Sequence, residues 1–113
     1  MSLYQQLEEA VNRLEAAMRA GDMWRQDAPS AAALASRTPF CADTLSLPQW
    51  LRFVLVARLR ALIEQRQPLP GKAQIAPAAE VYLKKYSSGR RVPVMEALWD
   101  IDRLLNSVEQ PPH

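Results

Sequence analysis

The sequence predicts an all-α domain: a four-helix bundle with a long loop between its first and second helices. Three observations carry that expectation. Apolar residues recur at the three- and four-residue spacing of helices, and no segment alternates with the two-residue period of a half-buried strand. Glycine is scarce, at three residues, while proline is frequent, at nine, so the prolines act as punctuation between helices rather than as interruptions of strands. The length of 113 residues suits a single core, assigned to residues 1–110 with a flexible tail at 111–113.

The first helix is expected near residues 2–20. Leu3, Leu7, Ala10, Val11, Leu14, Ala17 and Met18 fall within one arc of about 120° at 100° per residue. Glu9–Arg13 and Glu15–Arg19 have the i, i+4 spacing and the favourable order on its outer face. Gly21 follows as a left-handed C-cap. The connection over 21–47 allows one short helical turn around Ser30–Ser36, framed by Pro29 and Pro39, with Trp24 and Phe40 as its apolar anchors.

The second helix should run from about Pro48 to Arg66. Ser46-x-x-Gln49 has the form of a capping box, and Pro48 suits the first turn. Leu51, Val54, Leu55, Leu59 and Leu62 share an arc, while Trp50, Phe53 and Val56 carry the apolar character around much of the circumference. A helix apolar on most sides belongs at the centre of a bundle. "QPLPGK" stops it. A third helix follows from Ile75 to about Ser87, with Pro77 in its first turn and Ile75, Ala79, Tyr82, Leu83 and Tyr86 turned inward. "SSGRRVP" is the next break, and Pro93 opens a fourth helix with a stripe from Val94 to Val108. The short links at 67–74 and 88–92 make the second, third and fourth helices antiparallel neighbours.

Composition excludes several classes of function. One cysteine cannot form an internal disulfide, which points to a reducing compartment. The N-terminus is charged and amphipathic rather than signal-like, and no apolar run approaches the roughly 18 residues that cross a bilayer, so a cytoplasmic location is expected. The sole histidine, His113, cannot serve Cys41 as a base from a proline-broken tail, and one Cys with one His cannot build a zinc site. No glycine-rich phosphate loop occurs. Asp100 and Asp102 are two apart and face different sides of a helix. No enzyme and no cofactor is expected.

Charge is distributed unevenly about a net of +2. Residues 52–91 hold nine basic and two acidic side chains, whereas the segments before and after are net acidic. Within that stretch Lys84, Lys85, Arg90 and Arg91 surround Tyr86, an arrangement that could meet phosphate and stack a base. Tyr86 also belongs to the inward stripe, so packing accounts for it as well.

Arg58 is the other conspicuous charge. On a straight helical wheel it lies about 20° from Leu51, inside the inward arc. A guanidinium there needs a partner, since an unpaired buried charge costs several kcal/mol. Asp43, in the loop entering the same helix, is the first expected partner and Asp102 the second; the pair is either a structural ion pair or an anion pocket. Phe53 lies opposite the apolar arc, so either the 21–47 connection covers it or it marks a partner or homodimer surface. Trp99 poses the same question.

"PFCADTLSLPQWLRFVLVARL", then "QPLPG" and "IAPAAE", resembles the YqcC-like family of small bacterial proteins of unknown function. The matching features are Trp24, Pro39-Phe40, Asp43-Thr44, Pro48, Trp50-Leu51, Arg58, Pro68-Leu69-Pro70, Pro77 and Glu80; Cys41 is not counted among them. The resemblance implies a four-helix bundle. Its members are often encoded beside a tRNA pseudouridine synthase, which implies an accessory role in RNA modification at most, and it supplies no catalytic residues. The expected function is therefore a non-enzymatic protein acting through protein contacts, with itself or with an RNA-modifying enzyme. The alternative is a direct RNA-binding module using the basic loop 84–91.

Overall fold

The computed structural model describes residues 2–107 and is helical throughout, with no strand among the described residues. Val108, expected in the stripe of the last helix, and the 111–113 tail with His113 lie outside the described residues.

Helix α1, Leu3–Ala20, opens on a capping box: Ser2 Oγ accepts from the Gln5 amide while Gln5 Oε1 accepts from that of Ser2. It ends in a Schellman turn, with the Met23 amide donating to Met18 O and the Asp22 amide to Arg19 O. The left-handed residue is Asp22, at φ 58°, and not Gly21, whose φ is −86°. Gly21 is small for another reason. A Cβ there would lie 3.0 Å from the carbonyl oxygen of Arg90, so the glycine lets the end of α1 approach the start of the last helix.

Two short elements occupy the long connection. α2 is Ala31–Leu34, capped by Ser30, and Pro39–Cys41 forms a 3₁₀ turn. Trp24 is buried, and Phe40 meets Trp50 edge-on at 4.8 Å, so both expected anchors hold the connection down. Then α3, Leu47–Trp50, passes without a break into a π-helical segment, Leu51–Val56, and on into α4, Ala57–Glu64. The Ser46–Gln49 capping box forms as expected, with bonds of 2.9 and 3.2 Å. A second Schellman turn, around left-handed Arg66, closes α4 before the prolines.

α5 is Ile75–Leu83 and α6 is Ser88–Asn106. The break between them falls earlier than the sequence suggested, at 84–87 rather than 88–92, because α5 ends at Leu83 and not near Ser87. Ser87 acts as N-cap, its carbonyl accepting from the Arg90 and Arg91 amides, so "SSGRRV" forms the first turns of α6 and Pro93 sits inside it.

The four helical rods are thus α1, the continuous 47–64 rod, α5 and α6. α6 takes the central place: α1 and α5 both pack along it, and the 47–64 rod packs on α1 and touches α5 through α3. Leu7, Leu14, Met18, Leu51, Leu59, Leu83, Leu98 and Ile101 are fully or almost fully enclosed. Between α1 and α4, Glu15 is held by Arg19 at 2.8 Å and Arg60 at 2.7 Å. Arg13 reaches Asp100 on α6 at 3.4 Å rather than Glu9.

Candidate functional site

The expected Asp43–Arg58 pair does not form. Asp43 is exposed, and its carboxylate accepts from the Ser36 hydroxyl at 2.5 Å, which holds its pKa below the ordinary carboxylate value. Arg58 is exposed and makes no ion pair or hydrogen bond with a described residue. The cause is the π segment. A π turn holds about one residue more than an α turn, so everything beyond it is set back by about 100° relative to a straight wheel. That rotation carries Arg58 out to solvent, brings Val56 into the core and leaves Leu59 there. It also explains why the helix read as apolar all round: its two halves present different sequence faces in one direction.

Asp102, the second expected partner of Arg58, has another role. It is 3% exposed, the only charged residue among the buried described ones. Its Oδ1 accepts from the Ile75 amide at 3.0 Å and its Oδ2 from the Ala76 amide at 2.8 Å. Gln74, the local N-cap, makes no side-chain cap of its own. A carboxylate on α6 therefore caps α5 from outside, satisfying two donors that a helix start leaves open and meeting the positive end of its dipole. One turn further along, Asn106 clasps Ala73, accepting from its amide at 2.7 Å and donating to its carbonyl at 2.8 Å. Asp100, as its spacing implied, faces elsewhere, toward Arg13 and Arg103.

The four basic residues of the 84–91 loop are divided between two tasks. Arg90 is partly buried, donates from Nε to the Gly21 carbonyl at 2.7 Å and lies 4.8 Å over the Tyr86 ring. Arg91 donates to the Tyr86 carbonyl at 2.7 Å. Both arginines thus fasten the α5–α6 turn to itself and to the end of α1. Lys84 and Lys85 remain exposed.

Phe53 is half-buried, with the Arg52 guanidinium 5.0 Å over its ring. The same guanidinium lies 4.6 Å over Trp24 and donates to the Trp24 carbonyl at 2.7 Å, and Arg19 stacks on Trp24 at 5.1 Å. Nothing in the sequence marked Arg52 as the residue that ties the connection to the rod. Trp99 is 51% exposed on α6. Cys41 is a buried free thiol, and among the described residues no three His, Cys, Asp or Glu side chains come together as a metal site. No described helix is long and apolar enough to cross a membrane.

The loop entering α3 is held by several fixed contacts. Phe40 and Cys41 both adopt left-handed backbone conformations, at φ 59° and 51°, an uncommon choice for bulky residues. Thr44 Oγ1 donates to the Ala33 carbonyl at 2.8 Å, which joins the loop to α2, and Gln49 Nε2 donates to Asp27 O at 3.1 Å. This is the stretch that carries most of the sequence resemblance, and the match extends well beyond it. Residues 6–104 match the family DUF446, whose description is tRNA pseudouridine synthase C. The chain belongs to that family, the YqcC-like proteins.

Its relatives in the family include an uncharacterised protein of Haemophilus influenzae, 30% identical over 104 residues that cover 92% of this chain and 96% of that one. The uncharacterised protein YqcC of Escherichia coli is 35% identical over 83 residues, covering 74% and 76%. Its solution NMR structure superposes with a TM-score of 0.83 at 30% identity, covering all of this chain and 96% of that one. A third relative, from Pectobacterium carotovorum, bears the name tRNA pseudouridine synthase C. It is 31% identical over 70 residues, which are 62% of this chain but 19% of the relative.

Proposed function

We propose that this domain is a non-catalytic accessory to tRNA pseudouridine modification and that it works through protein contacts with a pseudouridine synthase. The observation that carries the reading is the partial match to the Pectobacterium relative. The enzyme's name belongs to a protein of which the shared region is 19%, which leaves four-fifths of that chain to carry its activity. A domain that occurs in one polypeptide with an enzyme and elsewhere as a separate chain fits an interaction module for that enzyme. The chemistry of this chain is consistent with it. Its one cysteine is buried, the one buried carboxylate among the described residues is spent on backbone amides, and the side chains left outward on α5 and α6 include apolar ones such as Val81 and Trp99.

The direct RNA-binding reading has less to rest on, because Arg90 and Arg91 are occupied within the fold and only Lys84 and Lys85 remain exposed in the loop. Size exclusion with light scattering, on a mixture of this chain and the tRNA pseudouridine synthase from the same genome, tests the proposal. It requires a joint species heavier than either component. Separate elution of the two, or pseudouridine formed in tRNA by this chain alone, contradicts it.

A further inference from the structure

Between the loop that enters α3 and the outer side of α5 lies a recess of about 210 Å³. Its apolar surface comes from Phe40, Leu45, Leu47 and Pro48, and Tyr82 and Lys85 stand on the α5 side. The size is informative. A cavity of about 150 Å³ takes one benzene ring, and most small-molecule sites exceed roughly 300 Å³. The recess therefore suits one bulky side chain rather than a cofactor or a nucleotide.

Its walls are set in advance. The Ser46–Gln49 capping box fixes the start of α3, and the edge-on contact with Trp50 fixes the Phe40 ring. Left-handed backbone at Phe40 and Cys41 is unfavourable for such residues, and conformations of this kind persist only where the surrounding structure holds them in place. The mouth is apolar and open: Tyr82 is 43% exposed and Val81 beside it 62%. The Tyr82 hydroxyl makes no hydrogen bond with a described residue. Lys85 is the one charged residue among those that line the recess.

We infer that this recess is the anchor point for a partner protein segment that presents one aromatic or branched apolar side chain flanked by carboxylates. The apolar side chain fills the space over Leu45, Leu47 and Pro48, and a flanking carboxylate meets the Lys85 ammonium. An apolar side chain seated in a preformed recess is how protein interfaces concentrate their affinity, and the complementary charge selects the segment and speeds its arrival. The inference builds on the proposed protein-contact function by specifying where and what kind of segment docks.

The test is an NMR titration of the isotope-labelled full chain with the blocked tripeptide acetyl-Glu-Phe-Glu-amide. Saturable shifts confined to amides of residues 40–48 and 82–85 are expected, lost when Ser replaces the peptide's Phe and weakened about tenfold by Lys85→Glu. Equal shifts with the Ser peptide, shifts elsewhere on the surface, no effect of Lys85→Glu, or saturation of the same amides by a uridine oligonucleotide instead would each overturn it. Repeating the synthase mixing experiment with Lys85→Glu separates the two ideas. A joint species that persists with the variant removes the recess from the interface and leaves the accessory function standing. Peptide binding as predicted, with no joint species even for the unaltered chain, keeps the recess and removes that function.

Discussion

The Asp102 carboxylate sits on the start of a helix to which it does not belong: Oδ2 accepts the Ala76 amide at 2.8 Å while Oδ1 takes that of Ile75 at 3.0 Å. This relationship locks the register of α5 against α6, since a shift of one residue would leave a buried carboxylate and two amides without partners. Asp102→Ala should therefore destabilise the domain by about 3 kcal/mol, the scale for stranding buried donors. Asn106→Ala, at the more exposed clasp on Ala73, should cost about 1 kcal/mol. The double variant should be non-additive, because both side chains hold one loop. Urea denaturation followed by circular dichroism measures all three.

Two glycines give opposite expectations. At Gly21 an added methyl meets the Arg90 carbonyl at 3.0 Å, so Gly21→Ala should destabilise by about 1–2 kcal/mol. At Gly89, inside α6, nothing lies within 4 Å of the new atom, and Gly89→Ala should stabilise by about 0.5–1 kcal/mol through helix propensity. Thermal melting of the two variants should move Tm in opposite directions.

Arg58→Ala should change stability by no more than about 0.5 kcal/mol, because the side chain is exposed and unpaired among the described residues. A loss of several kcal/mol in the same denaturation assay would restore the buried-charge reading of the straight wheel.

Acid should weaken the α1–α4 contact. Burial pushes the Glu15 carboxyl up, but hydrogen bonds from Arg19 and Arg60 outweigh it and hold its pKa below the ordinary 4.5. The folded chain then binds fewer protons at this site than the unfolded chain. The resulting stability is present above pH 4.5 and is lost as pH falls through the lower folded value. Asp43 contributes with the same sign through Ser36. Glu15→Gln should flatten the pH dependence of the urea midpoint below 4.5, and an unchanged profile would show that the carboxylate is not coupled to folding.

How much of this was legible in the sequence differs from element to element. α1 was, because seven apolar residues repeat without interruption and local rules decide a continuous α-helix. So was the start of α3, where serine, proline and glutamine sit at the spacing that a capping box needs. The π segment carried no such mark: "LRFVLV" contains neither proline nor glycine, and the extra residue in the turn is settled by packing. Every wheel angle beyond it was wrong by one step, which is how Arg58 came to be placed in the core. The capping role of Asp102 was hidden for a different reason. A cap supplied across 26 residues has no sequence spacing to recognise, and an isolated Asp within an apolar stripe is its only signal. The recess near Tyr82 and Lys85 likewise joins segments about 40 residues apart, and only the fold brings them together.

In the proposed function this chain meets a protein rather than a nucleic acid. Calorimetric titration at about 50 and 200 mM salt, first with the tRNA pseudouridine synthase from the same genome and then with tRNA, tests it most directly. Saturable binding of the synthase that survives the higher salt, and no binding of tRNA, are expected. Binding of tRNA that weakens steeply with salt, with no heat from the synthase, would contradict it.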